Sequence, residues 1–122
     1  AYASADNGGS WKLAGKVGDT GGWNGNPPAL TGLKDGRLCC VFGERVTCRM
    51  IAKYSADGGR TWGRDVILRS DFQRDVHNDP DFGYPRVTLR SDGKLMAIYY
   101  WATRDIPHQH IAATLWDPEN DT

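Results

Sequence analysis

An eight-residue pattern occurs twice in the chain, and it limits what the chain can fold into more than any other feature. Ser4-Ala5-Asp6-Asn7-Gly8-Gly9-Ser10-Trp11 and Ser55-Ala56-Asp57-Gly58-Gly59-Arg60-Thr61-Trp62 share S-x-D-x-G-x-[ST]-W at an offset of 51 residues. A second pair of turn signals, Lys34-Asp35-Gly36-Arg37-Leu38 and Ser91-Asp92-Gly93-Lys94-Leu95, recurs at an offset of 57. Self-similarity at such spacing marks architectures built by stacking copies of one small unit. The longer motif reads as a clasp: Ser and Asp side chains bond the backbone N–H groups of a turn, Gly takes a conformation that a Cβ would forbid, and Trp covers the assembly.

Asp-Gly between apolar runs is a hairpin signal, because Gly supplies a positive φ and Asp satisfies nearby backbone donors. Here it joins Ala29–Leu33 to Leu38–Phe42, and Val87–Leu89 to Leu95–Tyr100. Fifteen Gly, six Pro, five Trp and five Tyr in 122 residues point the same way, to strands joined by tight turns with few helices. That length suits one domain with a modest core.

Lys plus Arg and Asp plus Glu both number 15, so the balanced charge lacks the electrostatic footprint of a nucleic-acid binder or a basic membrane-surface protein. No apolar run approaches the roughly 18 residues of a membrane span, and no basic-then-apolar leader opens the sequence. A chain that starts at Ala1 with its pattern already running reads as processed or excised. Cys39 and Cys40 are neighbours on opposite faces of a predicted strand, so at most one can reach Cys48 across a hairpin; the alternative is three buried free thiols.

The doubled motif resembles the Asp-box, or bacterial neuraminidase repeat, of the sialidase superfamily. The run Asp81-Phe82-Gly83-Tyr84-Pro85-Arg86, followed by Ser91-Asp92-Gly93-Lys94-Leu95 and Tyr99-Tyr100, is similar to bacterial sialidase-like propeller proteins, and the likeness extends over nearly the whole chain. It implies an all-β fold, a β-propeller of four-stranded antiparallel blades with the Asp-box between third and fourth strands. Its structural residues would be Ser4, Asp6, Gly8 and Trp11, then Ser55, Asp57, Gly59, Thr61 and Trp62. Residues 1–17 would end one blade, 27–70 form a full blade with strands near 28–34, 37–43, 48–55 and 63–69, and 84–117 give three strands of another near 85–90, 94–101 and 109–116. Trp116-Asp117-Pro118 falls where a third Asp-box would lie.

Propellers close with roughly four to eight blades, and a blade buries its faces only against its neighbours. About two blades cannot close, so the missing ones of a ring, six-bladed in sialidases, are expected from a longer parent chain or from homo-oligomerisation, for example three copies. A collapsed arrangement that is no propeller is the remaining alternative.

The same resemblance sorts the polar residues, placing 18–27, 43–48, 70–84 and 101–109 on the functional rim. Arg45 precedes the second Asp-box by ten residues, where sialidases carry one of the arginines that clamp a substrate carboxylate, and Arg104 occupies the equivalent loop of the next blade. A guanidinium suits that task because its planar fork gives a carboxylate two parallel charge-assisted hydrogen bonds. Either arginine also reads as a solvated loop residue paired with Glu44 or Asp105. Tyr84 stands where sialidases have a nucleophilic tyrosine, the exception to the two-carboxylate glycosidase scheme. A phenol needs a neighbouring carboxylate to take its proton. The glutamate that sialidases use is absent from the matching stretch Asn26-Pro27-Pro28, leaving Asp79, Asp81 or Glu44 as substitutes.

Arg86 would share the strand face of Tyr84 and line the central channel, while Trp23 and Trp101 would offer flat faces to sugar rings or else pack in the core. Asp75–Asp81 concentrates carboxylates around His77 without EF-hand spacing, and His108 and His110 lack a further ligand at metal-binding spacing, so no metal and no cofactor are expected.

The resemblance thus implies part of a sialidase-like glycoside hydrolase acting on an acidic glycan, with Tyr84 as nucleophile and Arg45, Arg86 and Arg104 as substrate contacts, inactive as this chain alone. The alternatives are a non-catalytic carbohydrate-binding module or a self-assembling scaffold. Partners would be an acidic glycan or other carbohydrate, with no nucleic acid and no membrane, in the extracellular or periplasmic setting usual for the family.

Overall fold

The computed structural model describes residues 1–21 and 27–121. They form nine strands: β1 (Tyr2–Ala3), β2 (Lys12–Leu13), β3 (Ala29–Gly32), β4 (Leu38–Glu44), β5 (Arg49–Ser55), β6 (Val66–Arg69), β7 (Gly83–Leu89), β8 (Leu95–Trp101) and β9 (His110–Trp116), followed by a 3₁₀ turn at Pro118–Asp121. All pairings are antiparallel between consecutive strands, giving sheets of two (β1-β2), four (β3-β4-β5-β6) and three (β7-β8-β9) strands. The fold is all-β, and no described helix is long and apolar enough to cross a membrane. Of the three sheets only the middle one has the four strands that the resemblance implies for a blade.

The middle sheet is covered on both faces, which explains why β4 is buried at nearly every residue instead of alternating. On one face Cys39, Val41, Met50 and Ala52 meet Phe82, Leu95, Ala97, Tyr99 and Trp101, and β7 packs against β3 and β4. On the other, Cys40, Phe42 and Ile51 are covered by Val17 and Trp62. Cys39 and Cys40 therefore do point to opposite faces. Cys39 lies across from Tyr54, not Cys48, and all three thiols are free and buried. Burial pushes the Cys39 thiol up to about 12 and that of Cys40 up to about 11.

Both copies of the repeated motif fold alike. In the second, at the β5–β6 turn, Ser55 Oγ donates to Asp57 Oδ1 (2.8 Å) and accepts from Gly59 N (2.8 Å), while Thr61 N and Thr61 Oγ1 donate to Asp57 (2.9 and 2.6 Å). In the first, between β1 and β2, Ser4 Oγ donates to Asp6 and accepts from Gly8 N, and Ser10 donates to Asp6 through N and Oγ, each at 2.8 Å. The backbone N–H of Ser10 leads the bonds that lower the Asp6 carboxyl to about 2; the Thr61 hydroxyl leads those that hold Asp57 well below the usual range.

The two clasps differ in their cover. In each copy the tryptophan ring lies beside a motif glycine, Trp11 at Gly8 and Trp62 at Gly59, but Trp62 is half-buried and donates through Nε1 to Gly59 O (3.0 Å) while Trp11 is 62% exposed. Trp62 packs against Cys40, Phe42 and Ile51 of its own four-stranded sheet.

At Trp116-Asp117-Pro118 no third clasp forms. The chain turns through Pro118–Asp121 instead, and Trp116 Nε1 donates to Tyr54 Oη (2.8 Å), which donates to Asp121 (2.7 Å). That relay ties the three-stranded sheet to the middle one across 62 residues of sequence.

Candidate functional site

β7 starts irregularly. Gly83 has φ 129° and Tyr84 φ 51°, and the β7–β8 register shifts between Gly83 and Arg86, the signature of a bulge. Phe82 before it is fully buried against Phe72 and Trp101, and Pro85 after it is buried too. With both neighbours anchored inward, the bulge turns Tyr84 outward to 54% exposure. A left-handed conformation costs a non-glycine residue about 1–2 kcal/mol, a strain that concentrates at functional positions.

The strain is separable from the ring. Tyr84→Ala and Tyr84→Gly both remove the side chain, but only glycine relieves the backbone. Chemical denaturation should therefore show the glycine variant more stable than the alanine variant by about 1 kcal/mol. Equal or inverted stabilities would rule out a strained backbone at this position.

Around Tyr84 three segments distant in sequence converge. The Tyr84 and Tyr100 rings are 5.8 Å apart and tilted by 38°. Tyr100 Oη donates to Asp81 Oδ1 at 2.6 Å, and Gln109 Nε2 donates to Asp81 Oδ2 at 3.3 Å. From the β4–β5 turn Arg45 Nη2 donates to Phe82 O (3.0 Å) and approaches Tyr100 Oη (3.5 Å). Burial first, and then the hydrogen bond to Asp81, push the Tyr100 phenol above its ordinary value, so it stays protonated and acts as a donor to the carboxylate.

Several expected site residues lie elsewhere or do other work. Trp101 is no sugar platform: it is fully buried in the cluster of Phe72, Phe82 and Tyr99, because the alternation of β8 turns Tyr99 and Trp101 inward and Tyr100 outward. Glu44 caps the β4–β5 turn, accepting from Val46 N (2.7 Å), Thr47 N and Thr47 Oγ1, and is not aimed at Tyr84. Of the carboxylates offered as substitutes for the missing glutamate, Asp81 is in the cluster, but it serves Tyr100. No hydrogen bond between Tyr84 and a carboxylate is present among the described residues.

Arg86 follows Tyr84 outward on β7, exposed, with Nη1 donating to Pro85 O (3.0 Å). Arg104 is exposed on the β8–β9 loop and is not hydrogen-bonded to the Tyr100–Asp81 network. Trp23 and the Asn26 position fall outside the described residues. His110 Nδ1 contacts His108 O, and no described group of three or more His, Cys, Asp or Glu is arranged to hold a metal.

Two members of the network were not singled out from sequence as site residues. Tyr100 was legible as outward-facing from the alternation of β8, whereas nothing in the local pattern marks Gln109. Arg74 was also missed: it donates to Arg45 O (3.2 Å), Val46 O (3.1 Å) and Asn78 O (2.9 Å), locking the β4–β5 turn to the loop before β7.

No protein-family model matches the sequence, and no curated protein is similar to it at a significant level. Among solved structures the chain is similar to a protein of unknown function from Dyadobacter fermentans DSM 18053, with 16% identity and a TM-score of 0.46 over 93% of this chain and 44% of that one. The chain thus spans less than half the length of that protein.

Proposed function

We propose that this chain is part of a sialidase-like β-propeller and that the surface around Tyr84 recognises a glycan. The observation that carries the reading is the exposed tyrosine in left-handed backbone, ring to ring with Tyr100, next to a hydrogen-bonded Arg45, Tyr100 and Asp81. An aromatic face suits the apolar side of a sugar ring, and oriented polar groups beside it suit the hydroxyls. Arg86 is exposed on the same strand as Tyr84 and Arg45 contacts Tyr100 beside it, nearby positive charge that favours an acidic sugar. The propeller reading is supported by the paired clasps and by the antiparallel sheets joined in sequence order. On it, the remaining blades come from a longer parent chain or from further copies.

Recognition without hydrolysis is the reading we favour. A phenol attacks a sugar only when a base takes its proton, and the site's carboxylate is bonded to Tyr100. The strained exposure of Tyr84 is the one feature that favours hydrolysis as a second reading.

Titration of the protein with sialyllactose, followed by tyrosine resonances, should show saturable binding that Tyr84→Ala weakens by about tenfold, the loss of one stacked ring. Sialic acid should not be released. Release of free sialic acid that Tyr84→Phe abolishes would favour the hydrolase, and no binding at all would defeat the glycan reading.

A further inference from the structure

Asp81 carries an inference that rests on the glycan reading and sharpens it. Its two carboxylate oxygens each hold one donor from the protein, Tyr100 Oη on Oδ1 and Gln109 Nε2 on Oδ2, and the residue is nonetheless exposed. A carboxylate oxygen accepts more than one hydrogen bond, so acceptor capacity remains on both oxygens and faces solvent. The donors are directional. Arg45 Nη2 points at Tyr100 Oη, Tyr100 points at Asp81 Oδ1, and Gln109 approaches Oδ2, so the carboxylate is held by one donor on each oxygen.

A group in that position can only accept. Its oxygens take hydrogen bonds from Tyr100 and Gln109, and a second anion set against it would be repelled. What fits is a pair of neighbouring donors on a sugar ring: a hydroxyl beside a second hydroxyl or an acetamido N–H. Tyr84 lies alongside through its contact with Tyr100, ready to take the face of the same ring.

We propose that Asp81, oriented by Tyr100 and Gln109, is the donor-recognition group of the site and accepts hydrogen bonds from two neighbouring donors, a ring hydroxyl and an adjacent hydroxyl or acetamido N–H, of a pyranose seated on Tyr84. The carboxylate of an acidic glycan is then turned away from Asp81, which would repel it. Selection for adjacent ring donors follows, because a sugar lacking one of them forgoes a charge-assisted hydrogen bond to the carboxylate.

Asp81→Asn keeps the shape of the side chain and, with sialyllactose as probe, sets two effects in opposition. Loss of a negative charge by itself strengthens binding of an anionic glycan, whereas loss of charged hydroxyl acceptors weakens it. Binding weaker by about tenfold or more, with Asp35→Asn at the remote Asp-Gly turn unchanged, is the expected result. If the wild-type protein binds and Asp81→Asn binds equally or better, the role of Asp81 is overturned while glycan recognition stands. If the wild-type protein does not bind, both fall.

Discussion

Trp101→Ala should cost about 3–5 kcal/mol, the range for truncating a large aromatic in a packed core. That is a large share of the roughly 5–15 kcal/mol that holds a domain of this size together. Trp101 is fully buried, and its ring meets those of Phe82, Tyr99 and Phe72 at 4.7, 5.6 and 5.3 Å, the last at 74° edge-on. Its Nε1 donates to Asp71 Oδ1 at 3.0 Å, and Asp71 also pairs with Arg69, whose guanidinium lies 5.4 Å over the same indole.

Truncation therefore opens a cavity between the middle and C-terminal sheets and removes one of the donors to Asp71. Phe82, the residue before the Gly83–Tyr84 bulge, loses its support, so the site should loosen along with the core. Urea denaturation of the purified protein reads the effect directly. A loss below about 1 kcal/mol would count against the packed core position and for the other sequence expectation, a sugar contact.

Gly15→Ala should be the most damaging small change outside the core. A Cβ at Gly15 would overlap the carbonyl oxygen of Arg60 and lie 2.7 Å from that of Gly59. Both are backbone atoms of the second clasp, so no side-chain rotation relieves the clash. The segment from Ala1 to Thr20 must lift away, taking Val17 off Cys40, Phe42 and Ile51.

Overpacking of this kind costs about 1–3 kcal/mol. Amide exchange should show lost protection in β1, β2 and the second clasp, with β7–β9 spared. Gly32→Ala is the control, since a Cβ there meets nothing within 4 Å. Equal stability of the Gly15 and Gly32 variants would mean that the N-terminal hairpin does not rest on the clasp.

Most of the strand order was legible from sequence. The expected strands near 28–34, 37–43, 48–55, 63–69, 85–90, 94–101 and 109–116 correspond to β3 through β9 with ends moved by a few residues. The two clasps formed with the bonding anticipated, because Ser and Asp side chains act there on backbone groups no more than four residues away. The candidate site was legible only in part. Tyr84, Arg45 and Asp81 were named, but the pairing of Asp81 with Tyr100 instead of Tyr84 spans 19 residues, and Arg45 reaches Phe82 across 37.

What the sequence by itself determined is the all-β character, the hairpin turns and the opposite orientation of Cys39 and Cys40, since alternation and turn chemistry act between near neighbours in the chain. Only the tertiary structure decided that Trp101 is core, that Trp11 lies open while Trp62 is half-buried, and that the bulge at Gly83 presents Tyr84. Those outcomes depend on which sheet faces which, and a burial preference read one residue at a time contains no information about the surface that comes to cover it.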